Sequence, residues 1–247
     1  MDKELFLRRC ILLLEAYKKG WLGQTKMPED VHPHFTGTDE KLAYFTLPMA
    51  LNYQRNSYAL WEAALKTWND ISTKDVFDVA RSRVMPFETL QAKLLKHKLA
   101  LQPTKHTQTW QRISQTIVEN WGSISKLVLV SNNDFLIIQE LVQKKHKKGF
   151  PYLSGPKIFH YWNFIMSTYG GITLLHRECI DIAPDTHITQ CSVRLGVITG
   201  QEAETLSKDD ISKRWRELLS GSGIAPIDLH PPLWFWSRNG FRYDVEE

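Results

Sequence analysis

The sequence predicts a mainly α-helical protein. Apolar side chains recur at helical spacing through most of the 247 residues, whereas no series of segments alternates between apolar and polar residues as sheet strands do. The sequence also contains neither a GxGxxG segment nor a Walker-type phosphate loop, so the common nucleotide-binding sheets are not indicated. We therefore expect helices joined by short connections.

The first predicted helix covers residues 3–19, and the Gly- and Pro-containing stretch 22–41 is predicted to be a loop. Residues 127–130 fit either a strand or a helix. After Gly170 and Gly171 the chain is predicted to be irregular as far as Pro184. The other predicted helices cover approximately residues 42–55, 57–69, 73–82, 86–99, 106–121, 133–147, 156–168, 186–197, 208–219 and 226–238.

The composition is that of a globular protein, because 43% of the residues are hydrophobic and 23% are charged. This balance argues against a largely disordered chain. The net charge of +4 permits a polyanionic partner without requiring one. Nine Trp and eleven Phe are more informative, since large flat side chains serve both cores and base stacking.

The three cysteines, Cys10, Cys179 and Cys191, lie far apart and form no CxxC pair. We therefore expect no zinc or iron–sulfur site, and no cofactor or metal. So few cysteines favour a reducing compartment, which is the cytoplasm, or the nucleus in a eukaryote. The apolar run Cys10–Leu14 is too short to span a membrane and indicates a helix face rather than a signal peptide, so no membrane partner is expected.

A lysine-rich segment has the outline of a helix-hairpin-helix motif. Lys144, Lys145, Lys147 and Lys148 end one predicted helix, and a short turn leads through Gly155 into the next. Backbone amides and a helix N-terminus can hold a phosphate there, and lysines add affinity for a polyanion. The alternative is a solvated helix end whose lysines complement the dipole.

Two residues are candidates for catalysis of N-glycosidic bond cleavage. Asp185 precedes the helix 186–197, so it is a helix N-cap whose carboxylate could also stabilise a sugar cation. Lys157 lies in the first turn of an aromatic-rich helix, where an amine is placed to act as a nucleophile. The alternatives are a cap without catalytic function and an ordinary exposed lysine.

Two further segments could contact a nucleic acid. The late helix contains Asp228, His230 and Trp234, which could form the wall of a base pocket or simply pack in the core. Gln54 lies in a polar connection, residues 51–57, that could fill the gap left by an extruded nucleotide or be an ordinary turn.

Taken in chain order, these segments resemble the helix-hairpin-helix superfamily of DNA glycosylases, the endonuclease III type. The matching segments are Leu51–Ser57 with Gln54, Gly155-Pro156-Lys157, Asp185-Thr186-His187 continuing through Arg194-Leu195-Gly196, and the helix with Asp228, His230, Leu233 and Arg238. The chain departs from that type by one extra residue in the hairpin, by the absence of the cluster cysteines and by a longer segment between Lys157 and Asp185. The longer segment, the missing cluster and a length near 250 residues together make the chain more similar to the archaeal 8-oxoguanine DNA glycosylase branch.

The resemblance implies two helical domains with an active-site cleft between them. One would comprise residues 43–169 and end in the hairpin, and the other would combine residues 1–42 with 170–247. It further implies a monomer that binds double-stranded DNA containing a damaged base, an oxidised purine such as 8-oxoguanine. Lys157 would act as the abasic-site lyase nucleophile, or water would attack instead, while Asp185 would stabilise the sugar cation.

Two other functions fit the sequence. One is an N-glycosidase of the same architecture that acts on a modified nucleoside or nucleotide. The other is a non-catalytic nucleic-acid-binding module that keeps the hairpin without the chemistry.

Overall fold

The computed structural model describes residues 2–23, 25–52 and 54–245, and within them the protein is mainly helical with no β-strand. The predicted fold class is therefore confirmed at this level. The α-helices of this part of the chain are α1 (Lys3–Lys18), α2 (Thr38–Ala50), α3 (Ser57–Asn69), α4 (Val79–Val84), α5 (Phe87–Lys96), α6 (Pro103–Asn120), α7 (Ile124–Val130), α8 (Phe135–Gln139), α9 (Pro156–Thr168), α10 (Thr186–Arg194), α11 (Gly200–Thr205), α12 (Lys208–Leu219) and α13 (His230–Arg238).

The chain divides into two compact units. The larger unit is Pro28–His176, and the smaller one combines Met1–Met27 with Arg177–Glu247. Residues 28–42 and 170–176, which we expected to belong with the termini, are thus part of the larger unit.

Helix α2 forms the centre of the larger unit, because every residue from Leu42 to Ala50 is buried. It packs against α3, α7 and α9. Trp162 of α9 donates its Nε1 hydrogen to the Thr46 hydroxyl across 3.0 Å, which satisfies both buried groups. The position of α9 is therefore fixed by the core.

Helix α6 is the second support of the larger unit. It packs against α4 and α5, and Trp110 Nε1 donates to the Val76 carbonyl across 2.8 Å. Because Trp110 is fully buried, this bond fixes the rotation of α6 about its axis. Another face of α6, with Arg112, Thr116 and Asn120, contributes to the candidate site below.

In the smaller unit, α13 packs against both α1 and α10. The buried Trp215 of α12 contacts the ring of Phe6, with ring centres 5.5 Å apart, and donates to the Ser192 hydroxyl across 2.8 Å. The Cys191 thiol donates to the Leu233 carbonyl across 3.1 Å, which joins α10 to α13. These buried contacts of Cys191 and Ser192 fix the position of α10, the helix that begins after Asp185.

Several predicted elements differ from the observed ones. The predicted helix 133–147 is an α-helix only over Phe135–Gln139 and continues as a π-helix over Glu140–Lys145. The predicted helix 73–82 is a 3₁₀ turn followed by α4. The predicted helix 226–238 likewise begins as a 3₁₀ turn, Pro226–Leu229.

Two elements were ambiguous or missed. Residues 127–130, which fitted strand or helix, lie in α7. Helix α11 was not predicted, because it buries none of its residues and so shows no apolar periodicity. Along the described stretches of the chain, no helix combines the length and the apolar character needed to cross a membrane.

Candidate functional site

The lysine-rich segment, which we call the basic turn, comprises Lys144–Gly149. It begins in the π-helix and passes through a 3₁₀ turn, Lys147–Gly149. Single π-helical turns occur often at functional sites, since they shift side chains out of the regular register. All four lysines of the basic turn are exposed. Lys144 also forms a 2.7 Å ion pair with Glu140, one helical turn earlier.

The basic turn borders a cavity of about 650 Å³, whose other wall is α6. Arg112, Thr116 and Asn120 line that wall at intervals of four residues, so they share one helix face. No acidic residue of the described chain lines this basic cavity. The Thr116 hydroxyl and the Asn120 side-chain amide donate along α6 to the carbonyls of Arg112 and Thr116, at 2.9 and 2.8 Å. The cavity therefore offers mainly its five positive side chains to an anion with several oxygen atoms.

Gly149 is required where the basic turn meets α6. A Cβ atom at this position would lie 2.4 Å from Thr116 Oγ1 and 2.5 Å from Thr116 Cγ2. Both atoms belong to a β-branched side chain on a packed helix, so neither can move away easily. The close contact fixes the lysines of the basic turn relative to α6.

Burial and, to a smaller extent, the nearby Lys145 lower the pKa of His146. The imidazole lies edge-on to the Trp121 ring, with ring centres 5.1 Å apart. His146 is therefore neutral at physiological pH, and the charge of the basic cavity comes from its lysines and Arg112.

Most backbone amides between the basic turn and α9 are already used. Gly149, Ser154 and Gly155 donate to carbonyls within the segment at 2.7–2.9 Å. An anion in this region would thus be bound mainly by side chains rather than by turn amides. Gly155 is the N-cap of α9, and as a glycine it offers no side-chain oxygen to the first amides of α9.

Lys157 follows Pro156 in the first turn of α9, and its side chain is exposed. The larger unit thus contains Lys157, the basic turn and Gln54. Asp185 and the late aromatic residues belong to the smaller unit.

Gln54 is exposed and has a left-handed backbone, with φ of 49°. Its neighbour Arg55 fixes the connection, because the guanidinium donates to the carbonyls of Leu99 and Lys98 at 2.7 and 3.1 Å. The Asn56 side chain caps α3. Residue 53 of this connection lies outside the described residues. Gln54 is therefore presented from a connection that is anchored directly after it, at Arg55 and Asn56.

Asp185 is the N-cap of α10, as predicted. Its Oδ1 accepts from the Ile188 amide at 2.9 Å, while its backbone carbonyl accepts from the Thr189 hydroxyl at 2.7 Å. The residue is half-buried, and within the described chain Oδ2 accepts no hydrogen bond. One carboxylate oxygen thus holds the side chain in place and the other is available to a ligand.

His187 is oriented by a short hydrogen-bond chain that sequence reasoning missed. The Ser237 hydroxyl donates to Gln190 Oε1 at 2.7 Å, and His187 Nδ1 lies 3.0 Å from the same hydroxyl oxygen. Because the hydroxyl hydrogen is used, Nδ1 of His187 carries the hydrogen and Nε2 is the acceptor of the neutral ring. The residues were not detectable in the sequence, since Ser237 lies 47 positions from Gln190.

The three predicted base-pocket residues have different environments. Trp234 is half-buried, lies edge-on to His187 with ring centres 5.6 Å apart, and stacks against the Arg238 guanidinium. His230 is buried at the start of α13. Asp228 forms an ion pair with Arg177. Trp234 is therefore the residue of the three that stands beside the segment following Asp185.

Burial, together with the negative charge of Asp185, raises the pKa of the Cys191 thiol to about 12. Burial alone raises that of Cys10 to about 12. Neither thiol is a nucleophile at neutral pH. Across the described residues, no group of three or more His, Cys, Asp or Glu side chains could hold a metal ion.

Comparison with protein-family models gives no match to this chain, and comparison with curated proteins gives none either.

Proposed function

We propose that this protein is a DNA base-excision glycosylase that extrudes a damaged base, an oxidised purine such as 8-oxoguanine, and cleaves its N-glycosidic bond. The observation that carries the proposal is the basic cavity, which joins four exposed lysines and Arg112 directly upstream of the helix that begins with Pro156 and Lys157. The segment from Glu140 to Thr168 is, in this proposal, a helix-hairpin-helix motif.

Duplex DNA carries one negative charge for about every 1.7 Å of its axis, so a cluster of exposed lysines gains affinity by releasing counterions. Arg112 lies on the α6 wall of the same cavity and adds a guanidinium, a group that suits phosphate oxygens. These contacts do not depend on base sequence, which suits an enzyme that searches DNA for rare lesions.

Asp185 is proposed to stabilise the deoxyribose cation that develops as the glycosidic bond breaks. A carboxylate held by a backbone amide needs little reorganisation during the reaction, and its free oxygen can face the positive charge. The N-cap and the catalytic role are therefore compatible in one side chain.

Lys157 is proposed to act as the nucleophile of a lyase reaction. Its neutral amine would attack C1′ of the deoxyribose, and the departing base would leave with the bonding electrons and take up a proton. Loss of the ring oxygen bond would yield an imine, and β-elimination would expel the 3′ phosphate. If water attacks C1′ instead, the enzyme releases the base without cutting the strand.

Gln54 is proposed to fill the gap left by the extruded nucleotide, since it is exposed on an anchored connection. Trp234 is proposed to stack on the extruded base, with Asp228 and His230 near it in sequence. An active-site cleft that is served by both Lys157 and Asp185 is part of the same proposal.

The test uses duplexes that each carry one damaged base, with base release and strand cleavage measured separately. Borohydride should trap wild-type protein on the cleaved lesion strand, and Lys157→Ala should abolish the adduct. Lys66→Ala, which removes an exposed lysine from α3, is the control and should still be trapped. Base release without any trapped adduct would assign the reaction to water.

Two outcomes would replace the proposal. Hydrolysis of a modified nucleoside, combined with weak duplex binding, would favour the nucleoside N-glycosidase. Tight duplex binding without base release from any lesion would favour the non-catalytic module.

A further inference from the structure

The smaller unit contains a second cleft, of about 670 Å³, beside the end of α13. It is lined on one side by the turn that contains Trp21 and on the other by the tail that contains Arg242 and Tyr243. We call it the tail cleft. None of the residues proposed above for catalysis or for the base pocket lines it.

The aromatic wall of the tail cleft is unusually open to solvent. Trp21 is 57% exposed, and its ring lies 6.3 Å from that of Tyr243 at an interplanar angle of 31°. The Lys19 ammonium lies 4.4 Å from the centre of the Trp21 ring. Exposing an indole to water is unfavourable, but an indole is a side chain on which a nucleobase stacks well.

The polar wall of the tail cleft is positively charged. Arg238 and Arg242 both line it, and no acidic residue of the described ranges does. Because the Arg238 guanidinium is stacked against Trp234, which does not line the cleft, Arg242 provides the guanidinium for a ligand. Arg242 is exposed. A guanidinium group can bind two phosphate oxygens at once, so Arg242 beside an open aromatic ring matches a base that is linked to a phosphate.

The tail cleft is held in shape by hydrogen bonds between its walls. The Asn239 amide donates to the Leu22 carbonyl, and Trp236 Nε1 donates to the Tyr243 carbonyl across 2.8 Å. Gly23 has φ of 90°, and a Cβ atom there would lie 3.1 Å from Asn239 Nδ2. The Trp21 turn and the tail are therefore tied to the end of α13.

We propose that the tail cleft binds an unpaired nucleotide, with the base stacked on Trp21 and the phosphate held by Arg242. The volume is within the range of pockets that bury a small ligand. The nucleotide belongs either to a single-stranded segment of nucleic acid or to a free mononucleotide, and both present the same base and phosphate. The inference does not depend on the proposed glycosylase activity.

Binding of a fluorescently labelled oligothymidine strand tests the proposal. The measurement is made in a variant whose basic-turn lysines are replaced by serine, so that the remaining affinity does not come from the basic cavity. Trp21→Ala should then weaken binding about tenfold, since stacking on an aromatic side chain contributes that much per base. Trp21→Phe should retain most of the affinity, and thermal unfolding of both variants should match their parent.

The logarithm of the binding constant falls linearly with the logarithm of the salt concentration. Arg242→Ser should make this slope less steep by about 0.7, the value for one phosphate contact on a single strand. Lys213→Ser, at an exposed lysine of α12 in the same unit, should leave the slope unchanged. Displacement of the labelled strand by thymidine monophosphate would identify free nucleotides as the ligand, while displacement only by longer strands would identify single-stranded nucleic acid.

The proposal is overturned if the parent binds neither ligand, or if Trp21→Ala and Arg242→Ser both bind as the parent does. The measurement contains no damaged base and no bond cleavage. A failure here would therefore leave the glycosylase proposal untouched, and a chain without glycosylase activity could still bind a nucleotide in the tail cleft.

Discussion

Replacing Glu29 by glutamine should stabilise the protein at pH 8 and remove part of its pH dependence. Glu29 belongs to the 3₁₀ turn Pro28–Asp30 and is only 1% exposed. Its Oε1 accepts from the Tyr161 hydroxyl at 3.1 Å, while Oε2 is buried and has no hydrogen-bond partner within the described residues. The Trp61 indole lowers the pKa of this carboxyl, although its Nε1 completes no hydrogen bond to any described residue.

Burial is the dominant effect, and it raises the pKa of Glu29 from 4.5 to about 7. The folded protein therefore binds this proton more tightly than the unfolded chain does. The contribution of protonated Glu29 to the free energy of unfolding is fully present below pH 4.5 and is lost as the pH rises toward and through 7. A pKa difference of about 2.5 corresponds to about 3 kcal/mol, most of which is lost between pH 5 and pH 8.

Glutamine keeps the shape of the side chain and an acceptor for Tyr161 but has no proton to lose. The free energy of unfolding is measured in urea for wild type and for Glu29→Gln, at pH 5 and at pH 8. The variant should gain about 2–3 kcal/mol relative to wild type when the pH is raised from 5 to 8. Glu88→Gln, at an exposed position of α5, is the control for the change of charge. An equal difference at the two pH values would refute the reasoning.

Three other predictions concern the basic turn and the thiols. Replacing the four lysines of the basic turn by serine should weaken duplex binding. It should also make the slope of the logarithm of the binding constant against the logarithm of salt concentration less steep, by up to about four. Serine at four exposed lysines elsewhere should change neither quantity. Gly149→Ala should lower the free energy of unfolding by about 1–3 kcal/mol, because the new Cβ atom clashes with Thr116. Adding Thr116→Ala should restore much of that loss. A destabilisation that persists in the double variant would contradict the contact between the two residues. Iodoacetamide at pH 8 should label the half-buried Cys179 and spare Cys10 and Cys191, as judged by mass spectrometry of the folded protein; rapid labelling of either buried thiol would contradict the packing of α1 and α10.

Helix content and one cap were predictable from the sequence, because both depend on local signals. Apolar residues at helical spacing give long elements such as α6, and an Asp before Thr186 gives a cap with a short side chain that accepts from the amide three residues later. The mainly helical class and the cap at Asp185 follow from such near-neighbour interactions.

The elements that were predicted wrongly or not at all depend on interactions that leave no mark in the apolar spacing of the sequence. The π-helix Glu140–Lys145 has the same apolar pattern as an α-helix, so no spacing distinguishes them beforehand. Helix α11 is stabilised by a capping box between Thr199 and Glu202 rather than by burial, and periodicity does not detect it.

The candidate site was predictable only in part for a related reason. The lysines of the basic turn form a visible cluster, but Arg112, Thr116 and Asn120 lie about 30 positions earlier and join it only after the chain folds. The hydrogen-bond chain from His187 to Gln190 through Ser237 is likewise a tertiary feature.

The central claim is that Asp185 serves the cleavage of an N-glycosidic bond, and one substitution tests it directly. Asparagine is as good an N-cap as aspartate, so Asp185→Asn should keep α10 and the stability of the protein while removing the negative charge. The rate of base release from a lesion-containing duplex should fall at least about a hundredfold, the effect of losing one electrostatic stabiliser.

Asp78→Asn is the matched control, since Asp78 caps α4 in the same way by accepting from the amides of Ala80 and Arg81. Single-turnover base release by wild type, Asp185→Asn and Asp78→Asn is therefore the decisive measurement. We expect a large loss of rate for Asp185→Asn alone. Equal rates for the three proteins would contradict the proposed role of Asp185.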